Sequence, residues 1–196
     1  GVVVILVDAN GERTMFPDNG ANADLEVNDL PPLDDIDGAY LSGYALLDFR
    51  SRDAVLAMVK KIKAAGIPIF FDPTTTGAMK IVSREEVLSW VALMDGILLN
   101  AEEALYLGDS TQIELAEENL KEHTPLVVIK LGSRGAMAVF KDQSVRVAAV
   151  TTNVVDTTGA GDSFAAGFIP MWLETRELEK ALSAGTALAA KCVATV

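Results

Sequence analysis

The sequence contains few of the residues on which disulfide bonds and histidine chemistry depend. Its 196 residues include one cysteine, Cys192, and one histidine, His123. A single cysteine excludes an internal disulfide framework and suits a reducing compartment. Because Cys192 lies in the mostly apolar run 187–196, we expect it to be a buried core thiol. His123 lies at a polar helix end shortly before Pro125, and we assign it no chemistry.

Basic residues and long apolar segments are also scarce. Lys and Arg number 16 against 28 Asp and Glu, which leaves a formal net charge of −12. This balance argues against a nucleic-acid partner, since phosphate backbones require clustered cations, and it indicates a solvated acidic surface. No apolar stretch approaches the ~18 residues that cross a bilayer, and the run 2–7 is too short for a signal peptide. We therefore expect a cytoplasmic protein that binds neither nucleic acid nor membrane.

From residue 39 onward the sequence alternates between strand and helix patterns. Half of the residues are apolar and 22% are charged, which is typical of a globular domain. Short apolar runs predict strands at 39–41, 67–71, 96–99 and 126–131. Periodic apolar residues and capping signals predict helices at 51–65, from Ser83 onward with a capping box to Glu86, at 101–107 and at 111–122. Such βαβ units form a mostly parallel sheet that is covered on both faces.

The two ends of the chain follow other patterns. At the N-terminal end, strands at 2–7 and 13–16 around a turn at 8–11 predict a β-hairpin, which a polar loop at 17–28 follows. Near the C-terminal end, strands at 135–140 and 145–150 precede two long helices, at 161–174 and 177–195. Parallel sheets bind ligands at the carboxyl ends of their strands, so the residues that follow the strands are the candidates for function.

The segment 156–167 reads DTTGAGDSFAAG and opens the first of the long helices. Small residues at Gly159, Ala160 and Gly161 let the backbone approach a ligand, and a helix start presents N–H groups and a positive dipole end to an anion. A phosphoryl group fits on these amides, and the Asp162 carboxylate is placed to accept a substrate proton. The alternative is structural, with glycines for a tight turn and Asp162 as helix N-cap, and spacing alone does not decide.

Two better-known phosphate loops are excluded. The pattern G-x4-G-K-[ST] does not occur, and Phe164 stands where G-x-G-x-x-G would need its third glycine. Instead, residues 156–169 resemble, position for position, the second signature of the ribokinase (PfkB-type) family of carbohydrate kinases. The resemblance implies a three-layer αβα fold with a mostly parallel sheet and part of a β lid. It also implies Asp162 as the catalytic base, with the segment 159–161 as the anion hole.

The resemblance further implies ATP and metal ions as cofactors. Residues 98–103, LLNAEE, resemble the family's Asn-x-x-Glu motif, in which Asn100 and Glu103 would organise Mg²⁺, mostly through water. Hard oxygen ligands at the end of a strand suit Mg²⁺. The alternative for the same two residues is a capping box, and one residue can serve both purposes. Family members often hold a monovalent cation near the signature loop, which implicates Asp156 and Thr158 in binding an ion such as K⁺.

Residues 128–136, VIKLGSRGA, resemble the strand and glycine turn that border the nucleotide in this family. This places Lys130, Gly132 and Gly135 beside ATP, although Lys130 stands where the family often has Thr. An ordinary hairpin turn is the alternative for this segment. In the last helix, Thr186 falls near the family's adenine pocket. At the end of another strand, Asp72 in the Asp-Pro pair of residues 72–73 becomes a candidate for supporting the active site.

The N-terminal part of the chain implies a domain division and a partner. Residues 4–16 resemble the family's lid strand, so we assign 1–30 to a partial lid with its connection and 31–196 to a partial nucleotide-binding and catalytic domain, with a homodimer through the lid. The Gly-Gly sugar-binding signature is missing, and we expect the family pattern to extend past both ends. The implied function is phosphorylation of a small sugar by ATP. A nucleoside kinase and a non-catalytic family member are the alternatives.

Overall fold

The computed structural model describes residues 1–7 and 13–195, so the predicted turn at 8–11 lies outside the described residues. The strands are β1 (Val2–Val7), β2 (Arg13–Asp18), β3 (Ala39–Ser42), β4 (Ile69–Asp72), β5 (Gly96–Asn100), β6 (Leu126–Lys130), β7 (Ala136–Phe140) and β8 (Gln143–Val147). The α-helices are α1 (Tyr44–Leu47), α2 (Arg52–Ala64), α3 (Thr76–Met79), α4 (Arg84–Val91), α5 (Ala101–Leu107), α6 (Ile113–Leu120), α7 (Ala160–Thr175) and α8 (Leu178–Val193). Short 3₁₀ turns lie at Gly20–Asp24, Val27–Asp29 and Gly132–Arg134.

A six-stranded sheet in the order β3-β4-β5-β6-β7-β8 forms the centre of the fold. Strands β3 to β6 are parallel, whereas β7 and β8 are antiparallel to their neighbours. Within the described residues, strands β1 and β2 pair with each other as an antiparallel ribbon and with no strand of the main sheet. The predicted hairpin and the mostly parallel character of the main sheet are confirmed.

Helices cover both faces of the main sheet, because alternate residues of each strand point to opposite faces. Phe71, Leu99 and Ile129 belong to the apolar cluster beneath α2, α4, α5 and α6. Phe70 and Val128, on the other face, belong to the cluster beneath α7 and α8. A fully buried side chain of this size contributes roughly 1.5–3 kcal/mol, so both clusters hold the three layers together. The predicted three-layer α/β fold is confirmed.

Several predicted boundaries differ from the structure. The strand expected at 145–150 spans Gln143–Val147, because its last partner is Ala136, the first residue of β7. The helix expected at 111–122 spans Ile113–Leu120, since the Ser110 hydroxyl binds the amide of Gln112 and holds a turn before it. The four-residue helices α1 and α3 were not predicted, because so short a segment shows no 3.6-residue period.

The start of α4 agrees only in part with the predicted capping box. Ser83 accepts a hydrogen bond from the amide of Glu86 at 3.1 Å, as expected of an N-cap. The Glu86 carboxylate, however, accepts from the Arg52 guanidinium at 2.8 Å on the neighbouring helix α2. A tertiary contact has therefore replaced the second, local half of the box.

Candidate functional site

The carboxyl ends of the three central parallel strands place their last side chains together. Strands β4, β5 and β6 end at Asp72, Asn100 and Lys130. Each of these lies two residues after a core residue beneath α7 and α8, so all three point toward that layer. Those core residues are Phe70, Leu98 and Val128. The sheet therefore directs a carboxylate, an amide and an ammonium toward the start of α7.

Helix α7 begins without a side-chain cap. Its N-cap is Gly159, with φ 76° in the left-handed region that favours glycine, and no side chain caps the helix. Asp162 is the third helical residue, so the structural alternative that made it the N-cap is wrong. The amide of Ala160 donates to the Thr157 carbonyl at 3.2 Å. To bind an anion, this amide would have to exchange its hydrogen bond to Thr157 for one to the anion. The first-turn amides of Gly161 and Asp162 have no helical carbonyl to bind.

Lys130 lies directly against this helix start. Its Nζ donates to Oδ2 of Asp72 at 2.6 Å, and the two side chains are 17% and 12% exposed. A Cβ placed on Gly161 would lie 3.4 Å from the same Nζ, so glycine leaves room for the ammonium to approach. The structure thus brings together Lys130, predicted at the nucleotide, with Gly161 of the predicted anion hole. This contact joins residues from two distant parts of the sequence.

Asn100 and Glu103 form the reciprocal capping box of α5. The Glu103 carboxylate accepts from the backbone amide and the side-chain amide of Asn100 at 2.7 and 2.6 Å, and the Glu103 amide donates to Oδ1 of Asn100 at 2.9 Å. Glu103 is 4% exposed. Burial raises its pKa to about 7, opposed by the Asn100 amide and reinforced by the Asp72 carboxylate. The capping box is therefore present, and Glu103 also lines a cavity at this edge of the sheet.

A cavity of about 750 Å³ connects these groups. Its walls include Gly132 and Gly135 of the turn after β6, and Thr186 of α8. Thr186 is 8% exposed, and its hydroxyl donates to the carbonyl of Ser183 at 3.1 Å. Every predicted nucleotide-binding residue therefore lies on the same cavity as the segment 159–162.

The loop before α7 is held by its own side chains. Oδ1 of Asp156 accepts from the amide and the hydroxyl of Thr158, each at 2.8 Å. The thiol of Cys192 donates to the Thr158 carbonyl at 3.3 Å and is only partly buried, so the expectation of a core thiol is wrong. Cys192 lies on the side of α8 that faces this loop. An apolar run in the sequence does not show which side of the helix a residue occupies. Cation binding by Asp156 and Thr158 stays a prediction.

Sequence reasoning missed two aromatic residues of the site. Tyr40 and Tyr44 line the cavity, and the Tyr40 hydroxyl donates to Oδ1 of Asp162 at 3.4 Å. Burial, and then the carboxylates of Asp72 and Asp162, raise the pKa of Tyr40 above its ordinary value, so it remains a neutral donor. Tyr40 and Asp162 are 122 residues apart, and they meet because the register of β3 places Tyr40 beside Phe70, on the face of the sheet that α7 covers. No local motif marks such a pair.

The described part of the chain contains neither a metal-binding cluster nor a membrane-spanning helix. Within residues 1–7 and 13–195, no group of three or more His, Cys, Asp or Glu side chains is arranged to hold a metal ion. None of the helices in the described part of the chain has both the length and the apolar character that a bilayer crossing requires.

Comparison with known proteins gives consistent matches. A family model described as pfkB family carbohydrate kinase matches residues 1–196. An uncharacterized sugar kinase of Archaeoglobus fulgidus is 32% identical over 199 residues, which cover 98% of this chain and 76% of that protein. A fructokinase of Vibrio alginolyticus is 30% identical over 173 residues, covering 85% of this chain and 56% of that protein. The crystal structure of adenosine kinase from Sinorhizobium meliloti superposes with a TM-score of 0.90 at 29% identity. The match covers 99% of this chain and 61% of that protein's chain.

Proposed function

Because the chain belongs to the pfkB family of carbohydrate kinases, we propose that this cavity transfers the γ-phosphoryl group of ATP to a hydroxyl of a sugar or sugar-like molecule. One observation carries the proposal: the Asp162 carboxylate lies in the first turn of a helix without a side-chain cap, the Lys130 ammonium lies beside Gly161 of that turn, and both residues line one cavity. A base next to an anion site is what phosphoryl transfer to an alcohol requires.

Asp162 acts as the general base. Its carboxylate takes the proton of the acceptor hydroxyl as the oxygen forms a bond to the γ-phosphorus, and the bond from that phosphorus to the bridging oxygen breaks to release ADP. The Tyr40 hydroxyl at 3.4 Å is the hydrogen-bond donor that faces this carboxylate. Such contacts are often long in an unliganded site and shorten when substrate binds.

The start of α7 and Lys130 stabilise the charge on the transferred group. The segment Gly159, Ala160 and Gly161 presents the positive end of a helix dipole to the phosphoryl oxygens, with the Gly161 amide as a donor and the Ala160 amide joining it once its bond to the Thr157 carbonyl is exchanged. The ammonium of Lys130 lies beside Gly161 and faces the same space. Fixed donors in a partly buried site need no reorganisation during the reaction, so this arrangement lowers the barrier.

Glu103 and Asn100 fit a magnesium ion that keeps most of its water. The donor set is one buried carboxylate and one amide oxygen at the end of β5, without a protein cage among the described side chains. Mg²⁺ typically binds one or two carboxylates together with water and nucleotide phosphates. When bound, the ion would neutralise charge on the phosphates. The carboxylate of Glu103 would orient its water, and Asn100 would hold that carboxylate in place.

We assign the remaining predicted residues to the rest of the nucleotide and to a second ion. We assign Gly132, Gly135 and Thr186 to the nucleotide, since they line the wall beyond Lys130. We assign Asp156 and Thr158 to a monovalent cation such as K⁺, because their oxygens lie in the loop that shapes the anion site. Residues 1–30 would form part of a lid, and the exposed apolar strand β1 would serve a homodimer formed through that lid.

The acceptor remains a choice between two classes. The similarity to adenosine kinase favours a nucleoside as the second candidate, and the rings of Tyr40 and Tyr44 on the cavity wall suit either a sugar face or a base. The test is a coupled ADP-release assay of the intact protein with ATP, Mg²⁺ and a panel of hexoses, pentoses and nucleosides. We expect turnover that depends on one class. Absence of acceptor-dependent turnover together with intact ADP binding would instead favour the non-catalytic family member.

A further inference from the structure

The ion pair between Asp72 and Lys130 is the shortest contact between charged groups in the cavity. At 2.6 Å, with both side chains mostly buried, it is shielded from water on most sides. Ion pairs on the surface contribute little, but a partly buried and hydrogen-bonded pair fixes the positions of both groups. The pair therefore determines where the ammonium lies.

Lys130 carries the positive charge of the cavity. Among the described residues that line the cavity, Lys130 is the only basic side chain. Three acidic side chains line it as well, those of Asp72, Glu103 and Asp162. Because the carboxylates outnumber the ammonium, Lys130 is the side-chain cation that these lining residues offer to the phosphates of a nucleoside triphosphate. The position of a single ammonium is therefore decisive for the proposed reaction.

The backbone holds Asp72 in place independently of Lys130. Its Oδ1 accepts from the amide of Thr74 at 3.1 Å, while its carbonyl accepts from the amide of Gly43 at 2.7 Å. Thr74 has φ 78°, a left-handed conformation that is costly for a β-branched residue. This turn aims the carboxylate, so the flexible lysine adapts to the aspartate rather than the reverse.

We propose that Asp72 is a positioning residue, which holds the Lys130 ammonium against Gly161 where it meets the transferred phosphoryl group. This inference rests on the proposed function. Asp72 itself contacts neither substrate nor phosphate and moves no proton. It removes the rotational freedom of Lys130 before the nucleotide binds, so that the cation is already aligned when negative charge develops.

A double-mutant cycle in the intact protein tests this inference. We expect Lys130→Met to lower kcat about 100-fold and to raise KM for ATP, as for the loss of one stabilising donor. Asp72→Asn should lower kcat about tenfold without raising KM for ATP, because the ammonium is retained but no longer aligned. The double variant should match Lys130→Met within about twofold, since Asp72 acts through the lysine.

An additional loss of about tenfold in the double variant would overturn the inference, because Asp72 would then have a role that does not depend on Lys130. Unchanged kcat in Asp72→Asn would overturn it as well. If Asp72→Asn does not fold, Asp72→Glu keeps the charge and moves the carboxylate by one methylene. A several-fold fall in kcat at unchanged Tm is then expected, and full activity would contradict the inference.

Glu86→Gln is the matched control. It removes the partner of another partly buried ion pair, Arg52 with Glu86 at 2.8 Å, which lies away from the cavity. Its kinetics should equal those of the parent protein. The outcome for the proposed function is separate: if neither Lys130→Met nor Asp162→Asn alters turnover, the assignment of the whole site fails. If both do and Asp72→Asn does not, only the positioning role fails.

Discussion

Two helices begin at the same edge of the sheet, but side chains cap the first amides of one and not those of the other. Helix α5 follows β5 directly, and Asn100 and Glu103 cap it with a reciprocal pair of hydrogen bonds. Helix α7 follows a glycine in the left-handed region and has no side-chain cap. A cap satisfies amides that would otherwise be unpaired, so α5 is stabilised by its own sequence. Helix α7 leaves donors available to a ligand, and its acidic residue, Asp162, is free to face the cavity.

Asp162→Asn, a substitution in the first turn of α7, should have the largest effect on turnover. We expect kcat to fall ~10² to 10⁴-fold, the usual contribution of a general base, with an unchanged Tm because Asp162 is not the cap. Steady-state kinetics and thermal unfolding of the intact protein measure both. Near-normal turnover in a folded variant would show that the base lies elsewhere.

Glu103→Gln tests whether the α5 cap also serves the metal. We expect the affinity for Mg²⁺ to fall about 10- to 100-fold, the range for residues that orient metal-bound ligands, and added Mg²⁺ to restore part of the activity. Titration of activity with Mg²⁺ measures this change. A loss of stability with unchanged Mg²⁺ dependence would leave Glu103 with the capping role alone.

The same variant has a pH signature. The pKa of Glu103 is about 7, above its ordinary value near 4.5, so the folded protein holds a proton that the unfolded chain releases. Its contribution to stability is therefore fully present below about pH 4.5 and is lost as the pH rises from there to about 7. Mg²⁺ affinity should instead increase over that interval, as the carboxylate ionises. Both dependences should flatten in Glu103→Gln, and identical curves for parent and variant would contradict this assignment.

Gly161→Ala should separate stability from activity at the start of α7. Alanine in a helix is more stable than glycine by roughly 0.5–1 kcal/mol, so Tm should rise slightly or stay the same. The new methyl would lie 3.4 Å from Nζ of Lys130, in the space assigned to the phosphoryl group, so we expect kcat to fall about tenfold. Unchanged turnover would show that phosphate does not occupy this space.

Ser83→Ala should have the smallest effect on activity. It removes the cap of α4, a helix with no assigned function, and so serves as the reference for α5 and α7. Ser83 caps α4 at 3.1 Å and lies outside the cavity lining. The free energy of unfolding should fall by about 1 kcal/mol, while kcat and KM stay the same. Chemical denaturation together with kinetics checks both quantities, and altered kinetics would mean that capping alone does not distinguish the helices.

Local patterns in the sequence determined most of the helices and strands. They also determined two parts of the candidate site, the loop before α7 and the pair of Asn100 and Glu103. Alternating apolar runs and periodic helices predicted the layered fold, because each element must bury one face. The spacing in 156–162 predicted the loop that starts α7, and the spacing of Asn100 and Glu103 gave mutual capping as the alternative to metal binding. These features depend on residues a few positions apart, so a single segment contains them. The prediction of a buried Cys192 failed because an apolar run does not tell which side of α8 meets the core.

The tertiary structure alone decided which distant side chains meet. Tyr40 approaches Asp162, and Lys130 lies between Asp72 and Gly161, because parallel strands in register end at one edge of the sheet beneath α7. Nothing in the segments around these residues specifies the pairing of their strands. It follows from burying both faces of the sheet at once, a property of the whole chain. The sequence therefore contained the side chains of the candidate site, and the packing of the sheet against α7 and α8 set the distances between them.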